Sequence, residues 1–340
     1  MTRMAAEIKE TPAVLSRQWA MNAEANQRLA ARFSADPPRF AVTIARGSSD
    51  HAALYLKTLV EQCVSVAVAS LSPSLASLYH ARLRLEGAAA FTISQSGRSP
   101  DIVAMQRAAR DGGAYAVALV NDAASPIAAE ADATLPLQAG DEIAVAATKT
   151  MIASLFAAAS LVAHWSGLKP LLAALEALPS RLTAKTAPTS HALIEALSPA
   201  SSLFTLGRGA TLAAAMEAAL KLKETSALHA EAFSSAEVLH GPAGLVERGF
   251  PVLAFLPTDA ARAGMLEALD RLAGFGARAF VVDVEAHARW PTLSAPDAGH
   301  ALLQPIASLY AFYVFAEALA RHRGRDPDSP PHLRKVTQTW

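Results

Sequence analysis

The 340 residues predict an α/β protein made of two similar domains, each a mostly parallel sheet flanked by helices. Three observations carry that expectation. Short apolar runs alternate with helical stretches along the whole chain, and crossovers of this length join parallel strands. The runs suit strands covered on both faces, as parallel sheets are. The order of apolar run, glycine-containing turn and long helix also occurs twice, once from Phe40 and again from Leu203.

Met4 to Phe33 spaces its apolar residues by threes and fours, through Val14, Trp19 and Leu29. This predicts a helical arm over residues 1–35, ended by Pro37 and Pro38. Phe40 to Ala45 then reads as a strand, Arg46-Gly47-Ser48-Ser49-Asp50 as its turn, and the stretch to about Gln62 as a helix. Val64 to Ala69 is a second strand. The unit recurs with a strand over Ala88 to Ser94, a turn Ser94-Gln95-Ser96-Gly97-Arg98-Ser99-Pro100-Asp101 and a helix to Arg110. Strands follow at Tyr115 to Val120 and Ala133 to Leu137, before Asp141-Glu142 and a long helix through His164. Thr150 to Leu168 holds no Asp, Glu, Lys or Arg, yet its serines, His164 and many alanines fit a buried helix better than a membrane span.

The first domain is thus expected over 36–180. Gly167 to Pro188 reads as two proline-interrupted helical pieces, with the boundary near Ser180 to Ser190. The second domain, 190–325, starts with a helix His191 to Leu197 and a strand Leu203 to Leu206. After Gly207-Arg208-Gly209, one long helix is expected from Thr211 to Phe233. A strand Pro251 to Leu256, a helix Asp259 to Leu272, a strand Ala279 to Asp283 and a last helix His300 to Arg321 complete it. The tail, 326–340, is too rich in proline to start as a helix.

Composition removes several functions. Thirty Lys and Arg balance thirty Asp and Glu, which argues against nucleic acid as partner. The single Cys63 allows neither an intrachain disulfide nor a cysteine zinc site. No secretory signal is evident, so a cytoplasmic setting is expected. Neither a dinucleotide fingerprint, a P-loop nor a G-x-S-x-G elbow is present, and His229-Ala230-Glu231 lacks metal-ligand spacing. No cofactor and no metal are expected.

Two constellations remain. Ser94, Ser96 and Ser99 leave a buried strand, flank a glycine and open a helix, so hydroxyls and helix N–H groups can converge on one anion. Ser48 and Ser49 repeat the pattern after the first strand; the plainer account is that these serines cap helices. In the second domain Glu217, Lys221 and Glu224 share a helix face, which surface ion pairing would also explain. His240, followed by Gly241-Pro242, sits on a turn, so Glu224 and His240 can divide proton transfers.

Six stretches in order, ARGSSDHAA, FTISQSGRSPD, AGDEIAVAATKT, MEAALKLKETSALHAEAF, EVLHGPAGL and LRKVTQT, resemble the SIS (sugar isomerase) family. The likeness is to the tandem arrangement of the isomerase half of glucosamine-6-phosphate synthase. The resemblance implies two flavodoxin-like or Rossmann-like three-layer sandwiches. It implies that Ser49, Ser94, Gln95, Ser96 and Ser99 hold a sugar 6-phosphate and part of the open chain, with Lys221 as a further site lysine. It implies Glu224 as the base moving a proton between C1 and C2, and His240 as a ring-opening group donated across a homodimer. Lys335 matches a tail lysine of the sugar site, and the tail is expected to close that site.

The chain departs from the synthase. No glutaminase segment is expected from its start, and Arg46 and Arg98-Ser99-Pro100 replace residues usual there; both changes resemble stand-alone amino-sugar phosphate deaminases. The expected activity is conversion of glucosamine 6-phosphate and water to fructose 6-phosphate and ammonia. Galactosamine 6-phosphate, a glycated amino acid 6-phosphate, plain aldose–ketose isomerisation and a non-catalytic sugar-phosphate sensor remain open.

Overall fold

In a computed structural model, residues 1–184 and 190–335 are described. The chain divides into two compact units. One gathers Ala13–Glu142, Lys149–Glu176 and the end of the tail; the other gathers Met1–Pro12, Ile143–Thr148 and Ala177–Leu333.

The chain opens with α1 (Arg3–Ala35), which runs through Pro12 without a break. The first sheet takes β1 (Phe40–Ile44), β2 (Val68–Ser70), β3 (Ala88–Ser94), β4 (Tyr115–Val120) and β5 (Ala133–Pro136). Between them lie α2 (Ser48–Cys63), α3 (Ser74–Ser77), α4 (Pro100–Asp111) and α5 (Pro126–Ala129), and α6 (Lys149–Ser166) and α7 (Lys169–Ala184) follow. The strand order is β2-β1-β3-β4-β5, every pair parallel. All seven residues of β3 are buried, as a central strand with helices on both faces requires. Val42, Ile44 and Val120 pack with Ile102 and Met105 of α4 on one face. α6, whose one Lys or Arg is Lys149 at its start, is buried from Lys149 to Ala163.

The second sheet takes β6 (Ser202–Gly207), β7 (His229–Ser234), β8 (Pro251–Phe255), β9 (Arg278–Asp283) and β10 (Thr292–Ser294), with α8 (His191–Leu197), α9 (Thr211–Ser226), α10 (Arg262–Gly274) and α11 (Gln304–His322). Its order, β10-β9-β8-β6-β7, is parallel throughout and is the first sheet's order with the strands taken in the same sequence. Phe204, Leu206, Val252 and Val281 meet Met265 and Leu269 of α10. Residues Ala301–His322 are long and apolar enough to cross a membrane, but that stretch is 83% buried within the fold.

Four expectations need correction. The helix from Thr211 stops at Ser226, because Ala227 turns into the left-handed region (φ 47, ψ 41) and Leu228 N–H bonds back to the Leu222 carbonyl. His229 to Ser234 then pairs with β6 instead of continuing the helix, so His229 is on a strand. Pro179 lies inside α7 without ending it, so Lys169 to Ala184 is one helix and not two pieces. β2 starts at Val68, after Ser65 at φ 60. β10 lacks a long apolar run and is an addition to the expected strands. Part of the expected boundary, 185–189, and the end of the tail, 336–340, lie outside the described residues.

Candidate functional site

Each sheet presents its strand ends and the following turns as a place for ligands, as open parallel sheets do. In the first unit, the turn after β3 is closed from within. Ser94 is buried, and its hydroxyl oxygen accepts the Gly97 N–H at 3.0 Å; Ser96 accepts the Arg98 N–H at 3.3 Å. Gly97 has φ +62, and a Cβ there would stand 2.2 Å from the Ser125 hydroxyl, so the backbone of this turn requires glycine. Gln95 and Ser99 are half-buried.

The plainer capping account does not hold for Ser99. Ser99 occupies the N-cap of α4 yet makes no side-chain cap bond. α2 begins after Gly47, also with no side-chain cap, and places Ser48 and Ser49 in its first turn. In the first turn of α4 the Ile102 N–H goes to Asp101 Oδ1 at 2.9 Å, and in neither helix does the N-cap side chain take an N–H. A cation stands beside both turns. Arg46 Nε donates to Asp101 Oδ2 at 2.7 Å, and the Asp101 side chain is 0% exposed. Arg98 pairs with Asp122 at 2.7 Å, and that bond leads the causes that hold the Asp122 carboxyl below its usual range.

Also in the first unit, Lys335 Nζ lies 2.8 Å from Glu142 Oε2. Glu142 is fully buried there and accepts from Thr150 N–H at 3.1 Å and Thr150 Oγ1 at 2.6 Å. A carboxylate at the start of α6 is favourably placed against the helix dipole. Sequence reasoning alone gives Glu142 no part; an acidic pair a few residues ahead of a helix that holds no Asp or Glu is the available signal.

In the second unit α9 carries Glu217, Lys221 and Glu224. These are not a surface ion-pair row. Lys221 and Glu217 are 0% exposed and 3.4 Å apart, and Lys221 also bonds Glu224, whose side chain is 21% exposed. Tyr313 of α11 donates to Glu217 Oε1 at 3.1 Å. Tyr313 is hidden from sequence reasoning because its partner is 96 residues away. Glu224 faces a cavity of about 530 Å³, bounded by Leu220, Lys223 and Ala227 on α9 and by Arg325, Pro330 and Leu333 of the tail. That volume suits a small ligand. Asp328 accepts the Arg3 and Met4 N–H groups at 2.7 and 2.8 Å, which fixes this stretch of the tail to the start of α1.

His240 is exposed at the end of the 3₁₀ turn Glu237–Leu239, next to Gly241 at φ 140. It is not among the residues around the Glu224 cavity. The structure thus joins Lys221 with Glu224, and His240 lies outside the lining of that cavity. Among the described residues no group of three His, Cys, Asp or Glu side chains is placed to hold a metal.

The SIS domain model matches residues 38–164 and 196–320, one stretch per sheet. A glutamine–fructose-6-phosphate aminotransferase of Sulfurisphaera tokodaii is 34% identical over 311 residues, covering 87% of this chain and 49% of that protein. The chain thus spans about half the length of the curated relatives it matches. The crystal structure of a candidate phosphosugar isomerase from Silicibacter pomeroyi DSS-3 superposes with a TM-score of 0.91 at 47% identity, covering 96% of this chain and all of that one. A glucosamine-6-phosphate deaminase from Thermotoga maritima, at 19% identity and a TM-score of 0.77, covers 99% of this chain and all of that one and shares the fold. With both halves matched in order and both sheets sharing one topology, the chain belongs to the SIS domain family.

Proposed function

We propose that this chain is a cytoplasmic glucosamine-6-phosphate deaminase that works as a homodimer. The observation that carries the reading is Glu224: a carboxylate bonded to the buried Lys221 ammonium and open to a cavity. Such a group can take a proton from carbon and return it while a cation balances the charge nearby.

The reading gives the 6-phosphate to the turns bearing Ser49, Ser94, Gln95, Ser96 and Ser99, where uncapped helix starts and hydroxyls favour an anion. His240, exposed on its turn, assists ring opening in a second copy of the chain. In the open aldehyde form Glu224 removes the C2 proton, giving an enolamine, and returns it to C1. The C2 imine so formed adds water and loses ammonia, leaving fructose 6-phosphate. Lys221 steadies the negative charge that develops. Lys335, paired with Glu142, holds the tail down, and no imine to Lys335 is needed because the substrate supplies its own nitrogen. The arginines at positions 46 and 98 support deamination over glutamine-dependent synthesis.

A second reading, phosphosugar aldose–ketose isomerisation, is favoured by the likeness to the Silicibacter protein. Incubation with glucosamine 6-phosphate, without glutamine, separates the two. Ammonia and fructose 6-phosphate in equal amounts support deamination. Interconversion of an unmodified sugar phosphate without ammonia supports the isomerase. Glu224→Gln should abolish C2 proton exchange, a loss of at least about 100-fold, while binding of the sugar phosphate persists. Near-normal turnover in that variant would sink Glu224 as the base.

A further inference from the structure

The geometry points to Tyr313 as a positioning residue that sets how the Lys221 ammonium is divided between Glu217 and Glu224. This deepens the deaminase reading and takes Glu224 from it. Two carboxylates and one ammonium lie together on α9, and Lys221 and Glu217 are sealed from water. Charges inside a fold interact without solvent screening, so a small shift of the shared cation changes each carboxylate's hold on its proton.

The Tyr313 hydroxyl enters this balance at one atom. It donates to Glu217 Oε1, the same oxygen that faces Lys221 across 3.4 Å. With that oxygen bonded by Tyr313, Glu217 draws less on Lys221, and the ammonium sits closer to Glu224. Without the hydroxyl, Glu217 turns to Lys221 for compensation, and Glu224 loses part of the positive charge beside it. α9 packs against α11, β6, β7 and β8. From α11, the Tyr313 hydroxyl reaches Glu217. On β7, Glu231 and His229 are exposed. Around the cavity stand Lys223, Arg325, Asp326 and His332, all exposed and therefore screened. The buried members dominate the balance.

Two near-isosteric variants predict opposite signs. Tyr313→Phe deletes one hydroxyl, and the Glu224 carboxyl should then titrate at higher pH, by about half a unit or more. Glu217→Gln removes the competing charge, leaves Lys221 to Glu224, and should move the same titration to lower pH. The direct measurement is a carbon-13 NMR titration of full-length protein labelled at glutamate side-chain carboxyls, the Glu224 signal being the one missing in Glu224→Gln. Shifts of opposite sign carry the inference. Equal signs, or no shift in Tyr313→Phe, overturn it. This readout needs no substrate, so it stands even if glucosamine 6-phosphate is not turned over, which would sink only the deaminase reading. Where turnover is present, the acid limb of kcat/KM should move with the NMR titration and KM for the sugar phosphate should stay within about twofold.

Discussion

The Arg46–Asp101 pair shows how much one side chain can decide. Asp101 lies in the first turn of α4, fully buried, with one oxygen on the Ile102 N–H and the other on Arg46. The sequence marks Arg46 as a departure from the synthase, but only the fold shows that it answers a buried carboxylate 55 residues away. Removing one partner of such a pair costs more than the pair itself contributes, because the remaining charge stays out of water. With Arg46 itself about half exposed and the Ile102 N–H still on Asp101, Arg46→Ala should destabilise the protein by about 1 kcal/mol. Arg46→Ala combined with Asp101→Asn should recover at least half of that loss. Urea midpoints of the single and double variants give the comparison, and strict additivity would mean that the two side chains act independently.

At the level of elements, the end of α9 explains both what the sequence reveals and what it hides. The parallel strands β1, β3, β4, β6, β8 and β9 could be read because their apolar runs need no knowledge of their partners. The α9–β7 boundary could not. Lys-Glu-Thr-Ser-Ala-Leu-His-Ala-Glu-Ala-Phe contains neither Gly nor Pro, and alanine is the best helix former. Pairing with β6 overrides that preference and places Ala227 at φ 47. An L-residue there costs roughly 1 kcal/mol. Ala227→Gly should accordingly stabilise the fold by up to about 1 kcal/mol, read as a higher melting temperature; a loss of stability would show that unfolded-chain entropy outweighs the strain. The candidate site divides the same way. Serine turns and Glu224 are legible because their chemistry is local. Tyr313 and Glu142 are not, since each acts through a partner distant in sequence.

Across the whole molecule, one strand order supports two different carboxyl edges. Where the first sheet has serines and uncapped helix starts, the second supplies its own anions. Asp259 accepts the Ala261 N–H at 2.9 Å in the turn after β8, and Asp283 at the end of β9 binds Arg262 through both oxygens, at 3.2 and 2.6 Å. His287 adds a contact to Asp283 at 2.6 Å. The second edge thus holds an Arg–Asp pair, as the first does at Arg46–Asp101 and Arg98–Asp122, and adds His287 to it. It also gives the second unit a distinct response to acid. Burial works to raise the Asp283 carboxyl, but hydrogen bonds from Arg262, His287 and the Val284 N–H hold it below the ordinary value of 3.8. A carboxyl with a depressed folded pKa contributes its stability above the unfolded value and loses it as pH falls through the folded one. Asp283→Asn should thus cost about 3 kcal/mol at neutral pH, and the gap to the parent should close as pH drops below 3.8. Urea melts of both proteins across that range test it: a gap that stays constant with pH would assign the loss to packing and not to the ion pair.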